Sequence, residues 1–395
     1  HLYRFREDGQ LINQVTSGPW ALRSSGGPFW LRRSVVNIDE KNSQVYFTAL
    51  KKSSVERHLY RIGFDGSGLE RITKDNGVHK VGFSPDGQYY LDSYSNSSTL
   101  PELTLHKKDG TKLHTIAKPR PELLQGLNLQ TPELFTIPTS DGFPMPAQIL
   151  KPKNFDPSKS YPLIFHIYGG PSAPTVFDQW QGSSLFFDNM LLDRGYLVVK
   201  FDHRSATAIS KKLENRLIMM MSGPIEIVDI LDGILWLKSQ SYVDPDRVGI
   251  WGWSGGGQMT LNMLFRYPEV YHTGIAVSFV SDQRLYDTIY QERFMGLPDD
   301  NEFGYTNGSP ITFAHRLKGN LLIIHGTGDD NVHYQSFERM LNELIAHNKK
   351  FTMMSYPNRS HSLSEGENTK RHFYELMLSY LKRNLPAGVR GMKND

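Results

Sequence analysis

The segment Val248-Gly249-Ile250-Trp251-Gly252-Trp253-Ser254-Gly255-Gly256-Gly257-Gln258 decides how this chain is read. Residues 248–251 are an apolar run of strand length, and a helix is expected to begin near Gln258. Between them stands the G-x-S-x-G pattern in a strand–turn–helix setting. A turn that tight needs residues without side chains two before and two after the serine. Its strain lifts the Ser254 hydroxyl above the sheet edge and aims the next backbone N–H at a reacting oxygen. A glycine-rich βα turn without chemistry has the same pattern, so the partners must be found elsewhere in the chain.

The flanks supply the fold. From residue 162 onward, apolar runs of strand length alternate with helical stretches; the runs are 162–168, 196–201, 248–251, 274–279, 321–325 and 351–356. Phe337, Met340, Leu341, Leu344 and Ile345 fall at helical spacing, as do Phe373, Leu376, Met377, Tyr380 and Leu381. Alternating β and α with continuous apolar strands predicts a mostly parallel sheet covered by helices on both faces, an α/β hydrolase in this context. Met219, Met220 and Met221 are expected in a helix as packing residues.

A serine nucleophile needs a base, and the base needs an orienting carboxylate. In α/β hydrolases these follow in the order Ser, acid, His. The run 321–325 ends in Gly326-Thr327-Gly328-Asp329-Asp330-Asn331-Val332, and the run 351–356 ends in Pro357-Asn358-Arg359-Ser360-His361. Both loops lie at strand ends, on the side where Ser254 emerges. Asp329 is the expected acid, with Asp330 open as an alternative or as a helix cap. His361 is the expected base, with His333 as its competitor and His325 as a buried hydrogen-bonding group. The backbone N–H of Gly255 can serve a developing oxyanion. The loop Tyr168-Gly169-Gly170-Pro171 can approach the same point, where Tyr168 would offer a hydroxyl or simply pack.

Before residue 125 the pattern is different. Short β-forming runs are separated by Asp8-Gly9, Asp65-Gly66, Asp86-Gly87 and Asp109-Gly110. His1-Leu2-Tyr3-Arg4 matches His58-Leu59-Tyr60-Arg61, and the run from Val36 recurs at Val81, an offset of 45 residues. A period near 45 with about four strands per unit is the mark of a β-propeller blade. The predicted organisation is a partial propeller of about two and a half blades over 1–125, an α/β-hydrolase domain over 126–386, and a mobile tail over 387–395. A hairpin is expected between Leu134 and Leu150, turning at Ser140-Asp141-Gly142.

Composition narrows the chemistry. The 395 residues carry 44 Lys+Arg against 41 Asp+Glu, a net charge of +3, which argues against a nucleic-acid partner. There is no cysteine, which excludes disulfides and thiol chemistry. No apolar run approaches the ~20 residues of a membrane helix. No cofactor or metal is expected: neither Gly169-Gly170 nor the glycines after Ser254 have phosphate-loop spacing, and His and carboxylates do not cluster.

Three motifs together resemble the prolyl oligopeptidase family, in its dipeptidyl peptidase IV branch. They are Gly252-Trp253-Ser254-x-Gly256-Gly257, Tyr290-x-Glu292-Arg293-Phe294-Met295-Gly296-Leu297-Pro298, and His325-Gly326-Thr327-x-Asp329-Asp330-Asn331-Val332. The resemblance implies a triad of Ser254, Asp329 and His361, with Tyr168 and Gly255 at the oxyanion. It implies Arg293 and Asn331 as donors to a substrate carbonyl, and Tyr286, Tyr290, Val280 and Val332 as walls of a proline pocket. From spacing alone, Tyr286 and Tyr290 at i and i+4 read as a core stripe. Gly255 and Gln283 stand where that branch has a pocket tyrosine and a pocket tryptophan.

The implied function is a serine peptidase acting on peptides, releasing N-terminal dipeptides after Pro or Ala. An acylaminoacyl-peptidase, an oligopeptidase or an esterase of the same fold is the alternative, and a non-catalytic binding protein a remote one. The branch reads the free substrate amine with adjacent glutamates in its propeller, and this chain has no Glu-Glu pair. Either further blades carry the pair or the enzyme is not a dipeptidase. The family propeller has roughly eight blades, so these residues are expected to be the C-terminal piece of a longer protein. The resemblance also implies export, to a periplasm or cell surface, and is compatible with a homodimer.

Overall fold

A computed structural model describes residues 1–24 and 33–391. The chain divides into two compact units. The first comprises His1–Thr131 with two later segments, Val176–Ser183 and Ala208–Lys211. It therefore extends past residue 125 and takes in two stretches that the sequence reading gave to the hydrolase. Within it, Asp178 ties one of these stretches down: its N–H donates to Val55 O at 2.9 Å and its carboxylate accepts from Ser97 N at 2.8 Å.

Among the described residues, ten strands build the first unit. β1 (Tyr3–Phe5) pairs with β2 (Leu11–Gln14). β3 (Val35–Asp39), β4 (Gln44–Ala49), β5 (His58–Gly63) and β6 (Glu70–Arg71) form one antiparallel meander. β7 (Val78–Phe83), β8 (Tyr89–Ser95), β9 (Glu102–Lys107) and β10 (Lys112–Ala117) form the next. β8 starts 45 residues after β4, the period read from the sequence. Each Asp-Gly turn is closed alike: Asp8, Asp65, Asp86 and Asp109 each accept from the backbone N–H two residues on, at 2.8 to 3.1 Å. The following glycine holds the positive φ that such a turn needs. Tyr46, Leu59, Ile72, Val81 and Tyr90 share one core cluster, so neighbouring meanders bury each other's faces.

The second unit is built on a nine-stranded sheet. Its strands are β11 (Glu133–Pro138), β12 (Pro144–Leu150), β13 (Lys159–Ile167), β14 (Leu197–Phe201), β15 (Val243–Trp253), β16 (Thr273–Val277), β17 (Asn320–Gly326), β18 (Thr352–Tyr356) and the short β19 (Arg390–Gly391). The order is β11-β12-β14-β13-β15-β16-β17-β18. β11 and β12 form the predicted antiparallel hairpin, β12 is antiparallel to β14, and the remaining neighbours along that path are parallel. The helices are α1 (Ser183–Leu192), α2 (Lys211–Glu214), α3 (Pro224–Lys238), α4 (Gly255–Arg266), α5 (Thr288–Met295), α6 (Glu302–Gly308), α7 (Gln335–Ala346) and α8 (Thr369–Asn384). The central strands are buried on both faces, which is why they read as continuous apolar runs.

Three expectations are corrected. Residues 387–395 are not loose as far as Gly391: β19 pairs with Lys159 and Ser160 of β13, and Arg247 donates to Pro386 O and Gly388 O at 2.9 and 2.8 Å. The rest of that segment lies outside the described residues. Met219, Met220 and Met221 occupy a turn before α3 rather than a helix, with Met219 at φ 65°. Ile345, read as part of the apolar stripe of α7, is exposed, while Phe337, Met340 and Leu344 carry the buried face.

Candidate active site

The end of β15 delivers Ser254 into a strained turn. Its φ is 59°, a conformation L-residues rarely hold. Ser254 N–H donates to Val277 O at 2.9 Å, and its carbonyl accepts from Gln258 N at 3.0 Å, which locks the serine between sheet and helix. The flanking glycines are steric necessities. A Cβ on Gly252 would come closer than 3.0 Å to the carbonyl oxygens of Gly256 and Ile167, and one on Gly256 would collide with Ile167 O. Gly255 is under no such constraint, since its nearest neighbour would be Tyr168 Cζ at 3.8 Å. As the first residue of α4, Gly255 has an N–H with no acceptor within the helix.

Asp329 and His361 meet. His361 Nδ1 and Asp329 Oδ2 are 2.8 Å apart. Asp329 Oδ1 accepts from the N–H groups of Asn331 and Val332 at 3.0 and 2.9 Å, so the loop after β17 fixes the carboxylate from behind. His325 stands on its other side, with Nε2 donating to Val332 O at 2.8 Å and lying 3.2 Å from Asp329 Oδ2. Burial alone would push the Asp329 carboxyl up, but the bonds from His325 and His361 outweigh it and hold the group well below the usual carboxylate range. Trp253 closes the arrangement: its indole N–H donates to His361 O at 2.9 Å, tying the histidine loop to the residue before Ser254. His361 Nε2 has no hydrogen-bond partner among the described residues and is open to take a proton.

Two hollows flank these groups. One is lined by Tyr168, Ser254, Gly255, Val280, Tyr286 and Tyr290, together with Met221, Ser222, Gln258 and Gln291. The other lies between Tyr286, Asn331, His333 and His361. Tyr168, beyond the end of β13, lies against Gly255, and burial pushes its hydroxyl pKa up. Tyr286 donates to Asn331 Oδ1 at 2.7 Å, which leaves the Asn331 amide hydrogens for another acceptor. Among the described residues, no group of three or more His, Asp or Glu is placed to hold a metal ion, and no helix is long and apolar enough to cross a membrane.

Residues 184–387 match the sequence profile of the prolyl oligopeptidase family. The chain belongs to that family. Residues 1–101 match the dipeptidyl peptidase IV (DPP IV) N-terminal region. Dipeptidyl peptidase 8 of Mus musculus is 32% identical over 393 residues, covering 96% of this chain and 43% of the relative. Probable dipeptidyl-aminopeptidase B of Emericella nidulans is 33% identical over 381 residues, covering 93% and 40%. The chain thus spans less than half the length of these curated relatives. The crystal structure of Porphyromonas gingivalis dipeptidyl peptidase 4 superposes with a TM-score of 0.89 at 30% identity, covering 98% of this chain and 53% of that one. A putative dipeptidyl aminopeptidase IV from Bacteroides ovatus gives 0.84 at 28%, covering 95% and 52%. The antiparallel meanders are therefore propeller blades, and the nine-stranded sheet is the α/β hydrolase of the prolyl oligopeptidase family.

The site residues taken from the motifs are not all gathered in one place. Ser254, Gly255, Tyr168, Val280, Tyr286 and Tyr290 share the first hollow, and Asn331 and His361 the second. Val332 lines neither; it is buried and braces Asp329 and His325 through its backbone. Arg293 is exposed on the last turn of α5, its guanidinium over the Phe294 ring at 5.4 Å, and lines neither hollow. Gln283 sits one layer behind the wall, fully buried. Asp330 is exposed, and the next helix starts only at Gln335. Sequence reasoning missed Met221, Ser222, Gln258 and Gln291. Gln258 had a signal, since it stands one helical turn after Ser254 on α4.

Proposed function

We propose that the protein is a serine peptidase that hydrolyses peptide bonds by acyl transfer, releasing N-terminal dipeptides after Pro or Ala. The observation that carries this reading is the 2.8 Å contact of His361 with a carboxylate held ionised, on a loop bonded to the turn that strains Ser254. His361 Nε2 takes the Ser254 hydroxyl proton as Oγ bonds to the substrate carbonyl carbon. The carbonyl oxygen becomes an oxyanion facing the Gly255 N–H and the Tyr168 hydroxyl. The peptide C–N bond breaks, and His361 passes its proton to the departing amine. Water then attacks the acyl-enzyme by the same proton route and releases the acid. Asp329 keeps the imidazole in the Nδ1–H tautomer and stabilises its charged form.

In this reading the hollow with Tyr286, Tyr290 and Val280 receives the residue before the scissile bond, and Asn331 with Arg293 serves the preceding carbonyl. A fluorophosphonate probe tests the chemistry: it should label the protein at Ser254 and leave Ser254→Ala unlabelled, and an unlabelled parent would sink every enzyme reading.

A second reading, a broader acylaminoacyl-peptidase or esterase, is favoured by Gly255 in the wall and Gln283 behind it, which stand where the resemblance implies aromatic rings. Ala-Pro, Ala-Ala and N-blocked Ala-Pro substrates with a fluorescent leaving group separate the two. Cleavage of the blocked substrate as fast as the free one ends the dipeptidase claim. Export and a homodimeric state complete the proposal, on the resemblance to bacterial relatives. Cell fractionation and light scattering test them.

A further inference from the structure

Three glutamines stand in and behind the hollow beside Ser254; main-chain carbonyls fix which way two of the amides face, and one of these two fixes the third. Gln283 donates its Nε2 to Met221 O at 2.8 Å. Its Oε1 therefore accepts, and Gln291 Nε2 donates to it at 2.5 Å. Gln258 donates its Nε2 to Gly308 O at 3.2 Å. A carbonyl cannot donate, so none of these amides can be flipped without losing its bond. Two amide oxygens are left over, Oε1 of Gln258 and Oε1 of Gln291. The residues are 5% and 3% exposed, and both line the hollow. Neither oxygen has a hydrogen-bond partner among the described residues, and neither is sealed in the interior like the orphaned Thr260 hydroxyl nearby. Water can therefore reach both oxygens, and a ligand that displaces that water without offering a donor leaves them unpaired at a cost.

Space points the same way. Gly255 leaves open the volume that a side chain would fill, with nothing nearer than 3.8 Å to its absent Cβ. The hollow, about 50 Å³, thus combines apolar walls from Tyr286, Tyr290 and Val280 with two acceptors and the opening at Gly255. A proline ring would cover the acceptors without satisfying them.

We propose that this hollow selects a residue whose side chain donates a hydrogen bond, a hydroxyl residue such as Thr or Ser, at the position before the scissile bond. Gln258 and Gln291 are its specificity-determining residues. The inference rests on the serine-peptidase reading and on this hollow receiving that residue. It ranks Thr above the isosteric Val and Ser above Ala, and so adds hydroxyl residues to the Pro and Ala of the proposed function.

The test is a matched set of Gly-Thr, Gly-Val, Gly-Ser, Gly-Ala and Gly-Pro substrates with one fluorescent leaving group. The Thr substrate should exceed the Val substrate in kcat/KM by about tenfold or more, since a polar site rejects an isostere that leaves it unpaired. Gln258→Met and Gln291→Met keep the length and remove the acceptor, and each should move the Thr/Val ratio toward one. The parent ratio needs no variant, so a misfolded mutant does not protect the claim. Equal cleavage of Thr and Val, with Ser254 still labelled by a fluorophosphonate, overturns the selectivity and leaves the serine-peptidase reading standing. No labelling and no cleavage of any substrate overturns that reading and this inference with it.

Discussion

Two His–Asp pairs in this chain have nearly the same geometry and different surroundings. In the propeller unit, His79 Nδ1 lies 2.7 Å from Asp92 Oδ2; in the hydrolase unit, His361 Nδ1 lies 2.8 Å from Asp329 Oδ2. The His79 side chain is 3% exposed, its Nε2 is bonded to Asp75 O at 3.0 Å, and its ring stacks on Tyr94. The His361 side chain is 22% exposed and keeps its Nε2 free. A histidine held by a carboxylate is therefore no sign of catalysis by itself. The second ring nitrogen must be unclaimed and reachable, and a nucleophile must be delivered beside it.

The strongest way to break the comparison is to neutralise each carboxylate. Asp329→Asn should lower kcat by about 10³- to 10⁴-fold, because an Asn side chain can present the wrong tautomer of His361. Asp92→Asn should leave kcat within a few-fold and instead cost about 1–3 kcal/mol of stability, the price of a disturbed buried bond. Denaturation curves and steady-state rates on both variants decide it. If Asp92→Asn lost activity as severely as Asp329→Asn while staying folded, the distinction between the pairs would fail.

The elbow sharpens the contrast next. Gly252→Ala or Gly256→Ala drives a Cβ into backbone carbonyls that cannot yield, and should reduce kcat by at least about 100-fold or abolish soluble expression. Gly255→Ala meets nothing nearer than 3.8 Å and should fold normally, with its main effect on substrate preference. Equal damage at all three positions would refute the steric argument. Smaller again is Tyr168→Phe, which removes the hydroxyl proposed to face the oxyanion and keeps the ring. We expect kcat to fall by about 10- to 100-fold with KM little changed; a change in KM alone would return Tyr168 to a packing role.

What the sequence made legible follows from how local each signal is. Ser254 could be read because its strand, its glycines and its helix are contiguous, and each of those residues is sterically required. Asp329 and His361 could be read because strand ends in an α/β sheet converge on one face. Spacing could not separate Asp329 from Asp330; the structure separates them by the two backbone N–H groups that grip Asp329. The glutamine contacts were out of reach, because Gln291 on α5 bonds Gln283 after β16 and Gln258 on α4 bonds Gly308, pairings that no periodicity records. Arg293 carries the family motif yet stands exposed, and Val332 serves through its backbone, where side-chain identity says little.

Glu226 was equally illegible, and it sets the last test. A carboxylate in the first turn of a helix usually reads as a solvated group favoured by the helix dipole. Here Glu226 lies in the first turn of α3 but is fully buried, with His203 Nε2 3.8 Å from its Oε1, and burial outweighs the pull of the Ser222 and Gly223 backbone N–H groups and pushes its pKa up to about 8. Burial wins over the dipole, so this carboxyl is held neutral, whereas Asp329 is buried, bonded and held ionised. A raised acid pKa destabilises the fold as pH rises. Below the ordinary glutamate value of 4.5 both folded and unfolded chains are protonated; from there to about 8 only the unfolded chain ionises and stability falls; above 8 the loss levels off. Glu226→Gln keeps the shape and removes the titration. It should melt several degrees above the parent at pH 8, roughly 5 °C, and converge with it near pH 4.5. Thermal melts of both proteins across that range check it, and parallel curves from pH 5 to 8 would show that Glu226 ionises in the fold as readily as in the unfolded chain.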